Sequence, residues 1–255
     1  MCLLLFAWRP GSDLPFVLAG NRDEFHDRPA AAADWWDDTI VGGRDLRAGG
    51  TWLACRRDGR FAVVTNYREP IAEGRGPRSR GELVSLYLQG AMDPVACARK
   101  FAADAGDYGG FNLLLGSPQT VVYLSNRGRG PESLEPGLYG LSNHLLDTPW
   151  PKLARTRARF EQSLAAGAPT HALLEMLSDR EPAAAEELPD TGIGPEWERL
   201  LSAPFIVSPH YGTRCSTVLR LSADQHMELT ERRFDPAGQC SGETTFRFPL
   251  EEQPR

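Results

Sequence analysis

After Met1 the chain opens on seven apolar residues, CLLLFAW (2–8), and a second apolar run, FVLAGN (16–21), follows the Pro/Gly/Asp-rich break RPGSDLP. Apolar runs of this length bounded by turn residues read as buried strands, and the break between them as a turn. A buried strand at the very start is unusual, because chain ends stay loose unless something ties them down. TWLACR (51–56) and RFAVVTN (60–66) predict a second hairpin around Arg57-Asp58-Gly59, with Asp-Gly as the turn signal. Further strands are expected at 111–115, 121–125 and 138–142, the last leading into Asn143. The chain then returns to strands at 204–208, 215–221, 227–234 and 243–248.

Between the strands, apolar spacing of three and four residues marks helices. Ser79 with Glu82 predicts a capping box ahead of an apolar face of Leu83, Leu86 and Tyr87. Asp93-Pro94 predicts an N-cap with proline at the first helical position, leading into Val95, Ala98, Phe101 and Ala102. A helix is expected over about 151–165, with Leu153, Phe160 and Leu164 on one side, and Thr170 is a candidate cap for another that carries Leu173, Leu174 and Leu177. Residues 179–198 are acidic and Pro/Ala-rich and read as an exposed excursion. Hairpin-rich strands with helices in blocks indicate one α+β layered domain over 1–255, not a doubly wound parallel sheet. Two sheets stacked face to face with helices outside fit this order.

A chain of 255 residues can bury a substantial core without metal or disulfide staples. Its formal net charge of -6 argues against polyanion binding as the main role, so no nucleic-acid partner is expected. Cys2, Cys55, Cys97, Cys215 and Cys240 are odd in number, widely spaced and form no CxxC pair. That pattern rejects a zinc ribbon, a c-type haem motif and a disulfide framework, and favours a reducing compartment, most simply the cytoplasm. MCLLLFAW is too short to span a bilayer and lacks the flanks of a secretory signal. No HExxH, GxSxG, P-loop or GxGxxG element is present, so no metal site and no required cofactor is expected. His26, His144, His171, His210 and His226 read as structural or exposed. The basic stretch Arg75–Arg80 (RGPRSR) reads as a solvated loop or, more sharply, as a lid or acidic-ligand contact.

Hairpin geometry adds a juxtaposition. If Trp8 ends the first strand and Phe16 starts the second, paired residues sum to about 24 in an antiparallel ladder. Cys2 then faces Arg22, and Asn21-Arg22-Asp23-Glu24 lies beside the start of the chain. In the second hairpin pairs sum to about 116, which brings Asn66 near Gly50. With Met1 removed, the freed α-amine of Cys2 has a pKa near ~7.7–8.0 and can act as general base for its own thiol. Arg22 would favour thiolate, Asp23 would hold the amine, and an asparagine amide would serve as an oxyanion donor. Against this stand plainer readings. Cys2 can be a small apolar residue opening a buried strand, and Arg22-Asp23-Glu24 a solvated turn. Asn66 and Asn143 can be turn residues, Arg214 a mere ion-pair partner, and Trp52 and Tyr67 core or rim aromatics instead of substrate contacts.

The motifs MC-x5-W, AGNRDEFHDRPA, GGRDLRAGGTWLA, GRFAVVTNYREP and SRGELV, followed by YGLSNHLLDTPWPK and YGTRCSTVL, resemble the NRDE family (Transport and Golgi organisation protein 2-like), from residue 2 to about 235. That family is similar in fold to the cysteine-type N-terminal-nucleophile hydrolases, among them penicillin V acylase, bile salt hydrolase and acid ceramidase. The resemblance implies a four-layer αββα sandwich and a nucleophile at Cys2, with Arg22, Asp23, Asn66, Asn143 and Arg214 at the positions that look equivalent to the acylases' assisting residues. One departure is visible. The acylase pattern separates its early arginine and aspartate by two residues, whereas Arg22 and Asp23 are adjacent. Either the local geometry differs or one of the pair has another task. The resemblance thus implies a hydrolase of linear amide or related acyl bonds. Its alternative is a carrier that uses the same cleft for haem or an acyl lipid, since relatives are linked to haem trafficking, Golgi organisation and acyl-lipid metabolism.

Overall fold

The computed structural model describes residues 2–70 and 76–251; Met1 and Arg75, the first residue of the basic loop, lie outside them. In chain order the described residues form β1 (Cys2–Trp8), β2 (Phe16–Phe25), β3 (Ala30–Trp35), β4 (Ile40–Asp45), β5 (Leu53–Arg56) and β6 (Phe61–Asn66). Helices α1 (Gly81–Gln89) and α2 (Pro94–Ala103) follow, then β7 (Phe111–Gly116), β8 (Val121–Ser125), β9 (Glu132–Ser133) and β10 (Gly137–Leu141). The remainder is α3 (Pro151–Ala165), α4 (Thr170–Met176), α5 (Pro195–Leu200), β11 (Tyr211–Leu221), β12 (His226–Phe234) and β13 (Cys240–Pro249).

The strands make two antiparallel sheets, one in the order β10-β1-β2-β11-β12-β13 and one running β3 to β9 in sequence order. Alternation along each strand decides which layer a side chain enters. In β1, Leu4, Phe6 and Trp8 face the other sheet, where they meet Val41, Leu53, Phe61 and Leu114. Leu3, Leu5 and Ala7 face the opposite way, onto Leu153 and Phe160 of α3 and Leu173 and Leu174 of α4. On the far side, α1 and α2 cover the second sheet through Leu83, Tyr87, Ala98 and Phe101. The result is four layers, α3α4, sheet, sheet, α1α2, the layering implied by the family resemblance. All seven residues of β1 are buried. At roughly 1.5–3 kcal/mol for each large apolar side chain removed from water, this anchors the start of the chain in the core.

Both hairpin registers hold: Cys2 pairs with Arg22, and Leu53 with Val63. Other elements depart from the sequence reading. β2 runs on to Phe25, so Asn21-Arg22-Asp23-Glu24 is strand and not a solvated turn; it pairs with β11. β3 and β4 are additional strands; alanines and glycines weaken their apolar signal. The region 204–208 forms no strand, only an isolated bridge between Val207 and Gly212. Ser79 makes no capping box: Arg80 occupies the N-cap position of α1, while Glu82 accepts from the Tyr108 hydroxyl at 2.6 Å. Leu86, placed on the apolar face, is exposed. Asp93 does cap α2, accepting from Val95 and Ala96. Thr170 caps nothing; its hydroxyl donates to Glu228 at 2.8 Å, and Pro169 precedes α4. The excursion 179–198 ends in α5, whose Glu198 is buried against Arg68. Among the described residues no helix is long and apolar enough to cross a membrane.

Candidate active site at the start of the chain

Cys2 faces the space between the sheets at the end of β1, where they part over a cleft of about 490 Å³. The strand register sets a row across the first sheet: Cys2 opposite Arg22, Arg22 opposite Cys215, Cys215 opposite Arg233. Residues directly opposed in a sheet share a face, so all four project into the cleft, and each lines it. At about 4.8 Å between strands, Arg233 stands roughly 14 Å from Cys2 along this row.

Asn143 clamps the nucleophile candidate from behind. The Cys2 backbone N–H donates to Asn143 Oδ1 at 3.1 Å, and Asn143 Nδ2 donates to the Asn66 carbonyl at 2.9 Å. A donor at one end and a carbonyl at the other fix which way the amide points. The Asn143 carbonyl accepts from the Arg68 N–H at 2.6 Å. Asn143 is fully buried and holds this geometry at φ 58, in the left-handed region that asparagine enters more readily than most residues. Its amide oxygen and one of its two N–H donors are thus committed to chain geometry. Asn66 lines the cleft at the end of β6.

The adjacency of Arg22 and Asp23 has a structural reason: consecutive strand residues point to opposite faces. Arg22 enters the cleft, 3.9 Å from Glu24. Asp23 turns toward the helical layer, where the Thr213 hydroxyl donates to it at 2.7 Å. Its backbone N–H reaches the Cys2 sulfur. A bulge in β11 between Thr213 and Cys215 makes Arg214 the extra residue, and this switch of face brings Thr213 to Asp23. Arg214 lines the cleft and donates to the carbonyls of Phe25 and Arg28, at 2.9 and 3.2 Å, so it braces the loop after β2. Trp52 is part of both the inter-sheet core and the cleft wall. Tyr67 lies apart from the lining and stacks on His144 at 5.0 Å.

Burial pushes the Cys2 thiol up, with Asp23 raising it further and Arg22 opposing. Burial also pushes the Asp23 carboxyl up, and Lys152 is the strongest charge working against it. Lys152, in the PWPK segment that opens α3, carries no sequence signal beyond its place in that motif. Cys215 was likewise unmarked; its thiol bonds to Glu231, whose carboxylate accepts from the Ala33 N–H at 2.8 Å. The strand register alone identifies it. Among the described residues, eight arginines line the cleft against Glu24, Asp45 and Glu231, and Asp23 borders it with its carboxylate turned to the helical layer. Of these arginines, Arg44, Arg80, Arg214 and Arg233 form no ion pair with a described carboxylate. The loop after Arg75 contributes Arg78 and Arg80 to this wall. A positive cleft in a chain of net charge -6 concentrates anions. No group of three or more His, Cys, Asp or Glu suited to a metal ion occurs among the described residues.

Comparison with known proteins places these residues in context. A solved chain similar in arrangement is a mutant conjugated bile acid hydrolase from Clostridium perfringens, at TM-score 0.41 and 8% identity, covering 100% of this chain and 99% of that one. The Transport and Golgi organization protein 2 homolog of Bos taurus is 38% identical, over 96% of this chain and 97% of its own. That of Homo sapiens is 35% identical, over 98% and 100%. The family described as Transport and Golgi organisation 2 matches residues 1–236. With a buried N-terminal strand, the NRDE segment paired beside Cys2 and this extent of match, the chain belongs to the Transport and Golgi organisation 2 family.

Proposed function

We propose that this protein is a cysteine N-terminal-nucleophile hydrolase that cleaves a linear amide or related acyl bond in an anionic substrate. The observation that carries this reading is the 3.1 Å contact between the Cys2 nitrogen and Asn143, made at the mouth of a cleft lined by arginines. Once Met1 is removed, that nitrogen is an α-amine already oriented beside its own thiol. The amine takes the thiol proton as sulfur attacks the carbonyl carbon, forming the S–C bond. The amide of Asn66 donates to the oxygen on which charge develops. The C–N bond then breaks, and the proton passes from the amine to the leaving nitrogen. Water attacks the thioester, releases the acid and restores the thiol. Asn143 positions the amine, Arg22 favours thiolate, and Arg214 holds the loop that walls the cleft. Trp52 supplies an apolar surface for the acyl part.

A carrier reading, in which the cleft holds haem or an acyl lipid as cargo, is supported by the same arginine excess, which suits carboxylates, and by the two cleft thiols, Cys2 and Cys215. Turnover decides between them. Hydrolysis of anionic acyl amides that vanishes in Cys2→Ala supports the hydrolase. A saturable haem Soret shift that persists in Cys2→Ala, with no turnover by wild type, replaces it with the carrier.

A further inference from the structure

Lys152 is the second residue of α3 and is 1% exposed, yet its ammonium has no hydrogen-bond partner among the described residues. An unpaired buried ammonium costs several kcal/mol in desolvation unless a counter-charge stands nearby. The charged and titratable groups whose fields act on it come from four elements: Asp23 on β2, Cys2 on β1, Arg68 after β6 and Glu198 on α5. Arg68 and Glu198 satisfy each other at 2.5 Å, and Glu198 also accepts from Thr191. That leaves Asp23 as the anion that Lys152 balances. Strand alternation puts Asp23 on the helix-facing side of β2, the side against which α3 lies, directly behind the Cys2–Arg22 pair.

We propose that Lys152 is a positioning residue for Cys2: its buried ammonium keeps Asp23 ionised behind the nucleophile, and that carboxylate in turn sets the protonation of the Cys2 amine and thiol. The proposal rests on the reading of Cys2 as the reactive residue. The electrostatics of the pair agree with it. Lys152 is the leading charge opposing the burial that lifts the Asp23 carboxyl, and Asp23 is the leading charge opposing the burial that lowers Lys152, which comes to rest at about 8. Each group therefore holds the other in its charged form, in the pH range where the freed α-amine itself titrates.

The test is alkylation of Cys2 by iodoacetamide in the full chain from pH 6 to 10, followed by mass spectrometry of the N-terminal peptide. It needs no turnover, so it reports on Lys152 even if the hydrolase reading fails. Wild type is expected to show an inflection near pH 8. Lys152→Met should lose that inflection and, by letting Asp23 protonate so that it no longer raises the thiol, speed alkylation at pH 7 by about tenfold, the factor carried by one pKa unit. Lys152→Arg, whose charge persists to high pH, should keep the rate and lose the inflection. Asp23→Asn should match Lys152→Met, and the double variant should be no faster than either single one. A Lys152→Met profile that overlays wild type overturns the proposal. So does a double variant whose gain is the product of the two single gains, because the residues would then act independently.

Discussion

Asn143 shows how much one side chain can be asked to do. It bridges Cys2 and the end of β6 through both ends of its amide, from a backbone conformation most residues avoid. Two effects can be separated by substitution. Asn143→Ala leaves the Cys2 N–H and the Asn66 carbonyl without this partner and forces a Cβ residue into left-handed backbone, for a combined loss of roughly 2–4 kcal/mol. Asn143→Gly removes the same hydrogen bonds but tolerates the backbone, and should be less destabilised than Asn143→Ala by about 1 kcal/mol. Urea unfolding of both variants measures the difference. A neutral Asn143→Gly would mean that the amide clamp contributes nothing and only the backbone conformation matters.

Within the sheets, the row of Cys2, Arg22, Cys215 and Arg233 predicts charge selectivity at Cys2. Iodoacetate and iodoacetamide are close in size and differ in charge. Cys2 should favour the anion, relative to free cysteine, and added salt should flatten the preference. Arg233→Met should lower the ratio of the two rates at low salt without changing the iodoacetamide rate, since Arg233 stands three strands, roughly 14 Å, along the row from Cys2. Equal ratios in wild type and Arg233→Met would remove the anionic substrate from the account.

The first half of this row was legible in the sequence, because a short turn between two apolar runs leaves a single register, and Cys2 opposite Arg22 follows from it. The second half was not. Cys215 and Arg233 join the row only through the long-range pairing of β2 with β11, which no local spacing encodes. The face on which Asp23 points was hidden for a related reason. Reading Arg22 to Glu24 as a turn removes the alternation that separates Arg22 from Asp23. The strand continues there because its partner arrives from nearly two hundred residues away, at the bulge around Arg214. Glu198 is the clearest local misreading: a carboxylate in an acidic, Pro/Ala-rich stretch signals solvent, and only the buried Arg68 across the fold reverses that.

At the scale of the whole molecule, four layers enclose a set of ionisable groups whose shifts oppose one another as pH rises. Cys2 and Cys215 are pushed up by burial, so the stability they contribute is present below the ordinary thiol range and is lost as pH climbs through it. Lys152 is brought down from 10.5 to about 8, so its contribution is present at high pH and is lost as pH falls through 8. Lys152→Met removes the second trend alone. Relative to wild type, this variant should gain stability as pH is lowered from 10 to 7, by roughly 3 kcal/mol at most, the linkage value of such a shift. Denaturant midpoints across that range check the sign. A constant difference between the two proteins would show that folding leaves the Lys152 pKa unshifted.

The account as a whole turns on a free amine and a thiol sharing residue 2 in an arginine-lined cleft. Intact mass before and after exposure to an activated, carboxylate-bearing acyl donor tests this in one experiment. The expected result is a chain short by one methionine that gains a single acyl group, located on Cys2 and absent from Cys2→Ala. A chain that retains Met1, or an adduct confined to the exposed Cys240, would contradict it.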